Sequence, residues 1–131
     1  MGIVSDTLHY AYENKWTLGF VERPINDIIA NGLGEVRWLQ HKYKDRWFAD
    51  PFILDVTDDT IQVLVEEYYD GIKRGRIARL DINRPTMQLV DVKTVLQLET
   101  HLSFPAILRK GGKVYIYPEN SASGGLDLYE Y

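Results

Sequence analysis

The amino-acid sequence predicts an all-β protein, a partial β-propeller of antiparallel four-stranded blades. Three observations carry that prediction. Beyond Trp38 the apolar residues follow the two-residue period of a strand rather than the period of a helix. Turn signals interrupt that pattern at short intervals. Two stretches of it then repeat about 50 residues apart, with four strands per copy, which is the period of a propeller blade.

The elements follow in chain order. Trp16 to Phe20 and Val36 to Leu39 read as strands on either side of a single short helix. Ile25, Ile28 and Ile29 have helical spacing behind Pro24, and Asn31-Gly32 is a stop signal. Phe48 to Leu54 reads as a buried strand, and Thr57-Asp58-Asp59 as a turn. Ile61 to Tyr68 alternates, with Ile61, Val63, Val65 and Glu67 on one face and Gln62, Leu64 and Glu66 on the other. Glu66 is thereby expected to face solvent. Gly75 to Ile82 and Met87 to Leu96 complete the first set of four, separated by Asn83-Arg84-Pro85. The pattern restarts at Leu102 to Leu108, turns at Lys110-Gly111-Gly112, and continues through Val114 to Tyr117 and Leu126 to Tyr131.

Laid over each other, Pro51 and Pro105 are separated by 54 residues, Glu67 and Glu119 by 52, and Gly75 and Gly124 by 49. Shorter loops in the second copy account for the shrinking offset. The expected organisation is one partial propeller domain over 1–131: N-terminal strands and helix over 1–45, a first blade over 46–98 and an incomplete second blade over 99–131. Isolated blades are unstable because each buries its faces against its neighbours. The open edge at Leu126 to Tyr131 is therefore expected to be covered by a second copy in a homo-oligomer or by further blades.

Composition narrows the function classes. The formal net charge is −4 and no basic run occurs, which argues against a nucleic-acid partner. The absence of cysteine excludes disulfides and thiolate metal sites. His9 and His41 lack ligand spacing, Asp55, Asp58 and Asp59 miss the calcium-loop pattern, and Gly32-x-Gly34 lacks a third glycine. No metal and no cofactor are expected. Met1 to Lys15 lacks a charged start followed by an apolar core, and the longest apolar runs are too short to span a membrane. A soluble, cytoplasmic domain is the expectation. Nine tyrosines and three tryptophans suit both β-sheets and sugar-binding surfaces, where a flat ring covers the apolar face of a pyranose.

One ordered series of segments is more specific. It runs Trp16-Thr17-Leu18-Gly19-Phe20, Trp47-Phe48-Ala49-Asp50-Pro51-Phe52, Glu66-Glu67, Gly75-Arg76-Ile77-Ala78, His101-Leu102-Ser103-Phe104-Pro105, Tyr117-Pro118-Glu119-Asn120 and Leu128-Tyr129. The series resembles the N-terminal domain of glucosamine inositolphosphorylceramide transferases and their bacterial relatives. That domain looks like the five-bladed propellers of glycoside hydrolase family 43. The resemblance implies a sugar-related role with a carbohydrate ligand, and a domain that is not a complete hydrolase by itself. Asp50 matches the family 43 general base. The matching general acid belongs to a later blade, and His101 and Ser103 stand near where those hydrolases carry a pKa-tuning aspartate.

Asp50 is thus the candidate catalytic residue, with Trp47, Glu67, His101, Ser103 and Glu119 as candidate ligand contacts. Asp50 precedes proline, which is expected to hold it extended and aimed at the funnel. It reads equally as a carboxylate that accepts backbone N–H bonds and pins the strand start. Glu67 and Glu119 recur at matching places, as a shared structural joint would. His101 has a side chain suited to proton transfer near neutral pH. The alternative functional reading is a non-catalytic interaction or scaffold module accessory to a glycosyltransferase or another sugar-modifying enzyme.

Overall fold

A computed structural model describes residues 15–131. His9 and the reading of the N-terminal stretch over 1–14 fall outside the described residues. The strands are β1 (Gly19–Phe20), β2 (Arg37–Trp38), β3 (Arg46–Val56), β4 (Thr60–Tyr69), β5 (Arg74–Asn83), β6 (Gln88–Leu96), β7 (Ser103–Lys110), β8 (Lys113–Glu119) and β9 (Tyr129–Glu130). One helix, α1 (Ile25–Asn31), joins β1 to β2. They form three antiparallel sheets, ordered β1-β2, β3-β4-β5-β6 and β7-β8-β9. The fold is all-β, a partial propeller of one complete four-stranded blade, a three-stranded second blade and an N-terminal strand pair.

Side-chain alternation in β4 explains the layering. Val63 and Val65 point to one face and join Leu18, Leu39, Phe48 and Leu80 in a buried cluster under the N-terminal segment. Leu64 points to the other face and joins Ile77, Leu102 and Ile116 under the second blade. The middle sheet is buried on both faces, so apolar residues of β4 point to each of them. The N-terminal segment is tied along both sides of that sheet. Phe48 donates its N–H to the Trp16 carbonyl, and Gln40 exchanges two backbone bonds with Met87 and Leu89 at the β6 edge.

The β7–β8 turn has a simple cause. Lys110 pairs with Lys113 across a two-residue loop, and Gly111 and Gly112 both have positive φ (60° and 75°). Two such residues make the turn whose twist matches a hairpin, and glycine adopts them without a Cβ clash.

The repeat is visible in the ladders. β3 takes three steps from Ala49 to Phe52 while β4 takes two from Glu66 to Leu64. β7 takes three from Ser103 to Ala106 while β8 takes two from Glu119 to Tyr117. Each blade therefore carries one extra residue at the same place in its first strand, a β-bulge. The bulge residues Asp50 and Phe104 have φ of 49° and 47°. The expectation that Pro51 holds Asp50 extended is overturned: the inserted residue takes a left-handed conformation instead. That conformation costs about 1–3 kcal/mol for a non-glycine residue and persists only where its surroundings enforce it.

The ladders also move one correspondence by a residue. Ala49 pairs with Glu66 as Ser103 pairs with Glu119, so Glu119 corresponds to Glu66 and not to Glu67. Further along, Val63 pairs with Leu80 as Ile116 pairs with Tyr129, which preserves the offset of 49 in the third strand.

Candidate functional site

A cleft of about 450 Å³ opens between the N-terminal segment and the first strand of the complete blade. Trp16, Thr17 and Leu18 form one wall, and Trp47, Ala49, Asp50, Pro51 and Glu66 form the other. The bulge places Asp50 there. Trp16 is 63% exposed, while Trp47 is half-buried and stacks on Tyr68 with 4.9 Å between ring centroids and 2° between planes. Trp47 and Tyr68 are direct cross-strand partners, which is why their rings meet.

Three carboxyl groups converge at this end of the sheet. Glu66 is buried, with 6% of its surface exposed, and not solvent-facing as expected from alternation alone. Its face of β4 is the one the second blade covers. Burial, the nearby Asp50 carboxylate, a hydrogen bond with Asp50 and the charge of Glu119 push its pKa up to about 7. Near neutral pH Glu66 therefore holds a proton for a large part of the time. Asp50 also accepts a hydrogen bond on Oδ2 from the Phe104 N–H at 3.3 Å, which joins the two bulges across the blades.

His101 comes from the loop before β7. Its Nδ1 accepts the Gly75 N–H at 2.9 Å, so the neutral ring carries its proton on Nε2. That Nε2 lies 3.1 Å from Glu66 Oε1. Gly75 makes the approach possible. A Cβ there would come within 2.4 Å of the Leu102 carbonyl oxygen and 2.8 Å of Glu66 Oε1.

The remaining candidates separate. Ser103 is half-buried and pairs with the exposed Glu119 in the β7–β8 ladder. Glu67 does not belong with the cleft. It is fully buried on the opposite face of β4, with Oε1 held by Arg46 at 2.9 Å and Oε2 by Arg76 at 2.7 Å. The Arg46 guanidinium lies over the rings of Tyr43 and Tyr69, and that of Arg76 over Tyr69. Both carboxylate oxygens are thus engaged by guanidiniums. Glu66, Trp16 and Gly75 are the site members that residue-by-residue reading passed over. The signal available for Glu66 was register: it sits directly opposite Ala49, next to the bulge.

Among the described residues, no group of three histidine or acidic side chains is arranged to hold a metal ion. No helix among them is long and apolar enough to cross a membrane.

The sheets and the cleft define a class: a partial propeller-type domain whose first blade strand carries a carboxyl group beside two indole rings. The family described as glucosamine inositolphosphorylceramide transferase 1, N-terminal, matches residues 29–131, and the chain belongs to that family. No curated protein and no solved structure matches the chain. The family makes this a sugar-related, glycosyltransferase-associated domain.

Proposed function

We propose that this domain binds a carbohydrate or sugar conjugate in the cleft beside β3, and does not hydrolyse it unaided. The observation that carries the reading is the joint presence of Trp16, Trp47 and the Asp50–Glu66 pair in one cleft. Indole rings stack on the apolar face of a sugar ring while carboxyl groups bond its hydroxyls. A half-protonated pair offers both a donor and several acceptors, which suits hydroxyls that are themselves both.

The same pair argues against hydrolysis. Glycosidases need two carboxyl groups about 5–9.5 Å apart to flank the scissile bond. Asp50 and Glu66 are hydrogen-bonded to each other, too close to flank anything. Asp50 is thus better suited to binding than to acting as a base with Glu66.

Glycan-array screening followed by calorimetry tests the proposal. Binding of a neutral glycan is expected, with Asp50→Asn weakening it by about tenfold or more, since one lost charge-assisted bond is worth roughly 1.5–3 kcal/mol, and Trp16→Ala weakening it by removing the ring that stacks on the sugar. Chromogenic glycosides should stay uncleaved. Unchanged affinity in both variants would sink the assignment of the cleft. A silent array would favour the second reading, a scaffold module for a neighbouring transferase, which rests on the same family membership.

A further inference from the structure

The second blade repeats the bulge of the first but fills it with a different kind of side chain. Phe104 is the inserted residue of β7, as Asp50 is of β3. Both hold a left-handed backbone, with φ of 47° and 49°. Aspartate is among the few side chains that tolerate that region, whereas a bulky ring there is an outlier. Core packing does not account for the ring. Leu102 and Pro105 nearby are fully buried and Ala106 is 5% exposed, yet the larger Phe104 is 51% exposed among the described residues. A bulge re-aims the side chain it inserts, which explains how an apolar residue in this segment comes to lie outside the core. An apolar ring held out of the core by a rare backbone conformation calls for a partner other than the core.

The neighbours of Phe104 define that partner. Its N–H donates to Asp50 Oδ2 at 3.3 Å, so the residue stands against the carboxylate of the cleft. Its ring meets that of Phe52 at 4.8 Å between centroids and 85° between planes. Phe52 is the cross-strand partner of Leu64, on the face that the second blade covers. The Trp16 wall belongs to the N-terminal segment, which packs on the other face of the same sheet. Asp50 is thus flanked by indole rings on one side and by a phenyl ring on the other. Two joined sugar units, one on each aromatic flank, would share the Asp50 carboxylate between them.

We propose that Phe104 forms a second sugar subsite, so that the cleft takes a chain of at least two sugar units rather than a single one. The inference rests on the carbohydrate reading of the cleft. One unit stacks on the indoles of Trp16 and Trp47. The next lays its apolar face on Phe104, and hydroxyls of both reach Asp50 between them. Ser103, one residue before Phe104, and its cross-strand partner Glu119 supply polar groups beside that ring. The two bulges then serve one ligand with different parts: the first blade contributes the shared acceptor and the second blade the apolar platform.

Calorimetry on the full chain tests this with two sugars cut from the neutral glycan that the array ranks first: its terminal monosaccharide and the corresponding disaccharide. The disaccharide is expected to bind about tenfold more tightly, a gain of roughly 1.4 kcal/mol. Phe104→Asn removes the ring and suits the left-handed backbone, so it should keep a cooperative thermal melt. It should abolish the tenfold gain and leave the monosaccharide affinity unchanged. Phe104→Trp, which restores a flat ring, should retain the gain. If Phe104→Asn does not fold, Phe104→Leu, apolar but without a flat ring, takes its place. A disaccharide bound no more tightly than the monosaccharide overturns the proposal while leaving the cleft a sugar site. So does a gain that survives loss of the ring, or an equal loss for both sugars, which would mean that Phe104 acts only by holding Asp50. A silent array sinks the carbohydrate reading itself, and the second subsite with it.

Discussion

Glu66 shows what one residue's surroundings do to its chemistry. An ordinary glutamate is ionised well below neutral pH, and here burial and two acidic neighbours raise the group to about 7. The groups that face it are Asp50 from β3, Glu119 from β8 and His101 from the loop before β7. The sign of the effect on stability follows from linkage. A carboxyl whose pKa is higher in the folded state favours folding while protonated, so its contribution is complete below the unfolded value near 4.5 and is lost as pH rises through 7. The size is at most on the order of 3 kcal/mol. Chemical denaturation of the wild type should therefore show stability falling between about pH 5 and 8. Glu66→Gln, which keeps the shape and removes the charge, should flatten that slope. A variant with the wild-type slope would show that another group titrates. Glu67, one residue along, has the opposite setting, because two guanidiniums neutralise it in the core.

At the scale of elements, the two bulged hairpins β3–β4 and β7–β8 are the same device used twice. Each inserts one residue ahead of its proline-marked segment, and Asp50 in one accepts the N–H of Phe104 in the other. Gly75, at the start of β5, locks the pair from behind by donating to His101 and leaving room for the Leu102 carbonyl. Gly75→Ala puts a methyl group against that backbone oxygen and should cost about 1–3 kcal/mol, the usual penalty for overpacking. A thermal melt measures this. The same substitution should separate His101 from Glu66, visible as a changed His101 imidazole signal in NMR. A melting temperature equal to that of the wild type would mean that the blades slide apart without resistance.

For the whole molecule, the stacking order matters more than any one sheet. The β1–β2 pair is too short to hold itself, with two residues per strand, yet its flanking Leu18 and Leu39 complete the core beneath the first blade. The layers should therefore unfold together. Leu39→Ala should destabilise by about 2–5 kcal/mol, as large-to-small core changes do. It should shift one cooperative transition seen alike by tryptophan fluorescence and circular dichroism. Two separate transitions would show that the N-terminal pair is a detachable flap.

Much of this was legible in the chain itself. Alternation from Ile61 to Tyr68, the Pro24-to-Gly32 helix limits and the double glycine at 111–112 are local signals, and β4, α1 and the β7–β8 turn follow them. The blade repeat was legible because both copies obey the same packing rule and keep the same bulge. Position along the chain determined that Asp50 heads a repeated unit. It did not determine the conformation of Asp50, because a left-handed φ before proline arises from an extra residue in a ladder whose register depends on the partner strand. Nor did it determine that Glu66 is buried and Glu67 bound by two arginines. Both carboxylates lie on one strand with opposite faces, and which layer covers each face is decided only when the sheets stack.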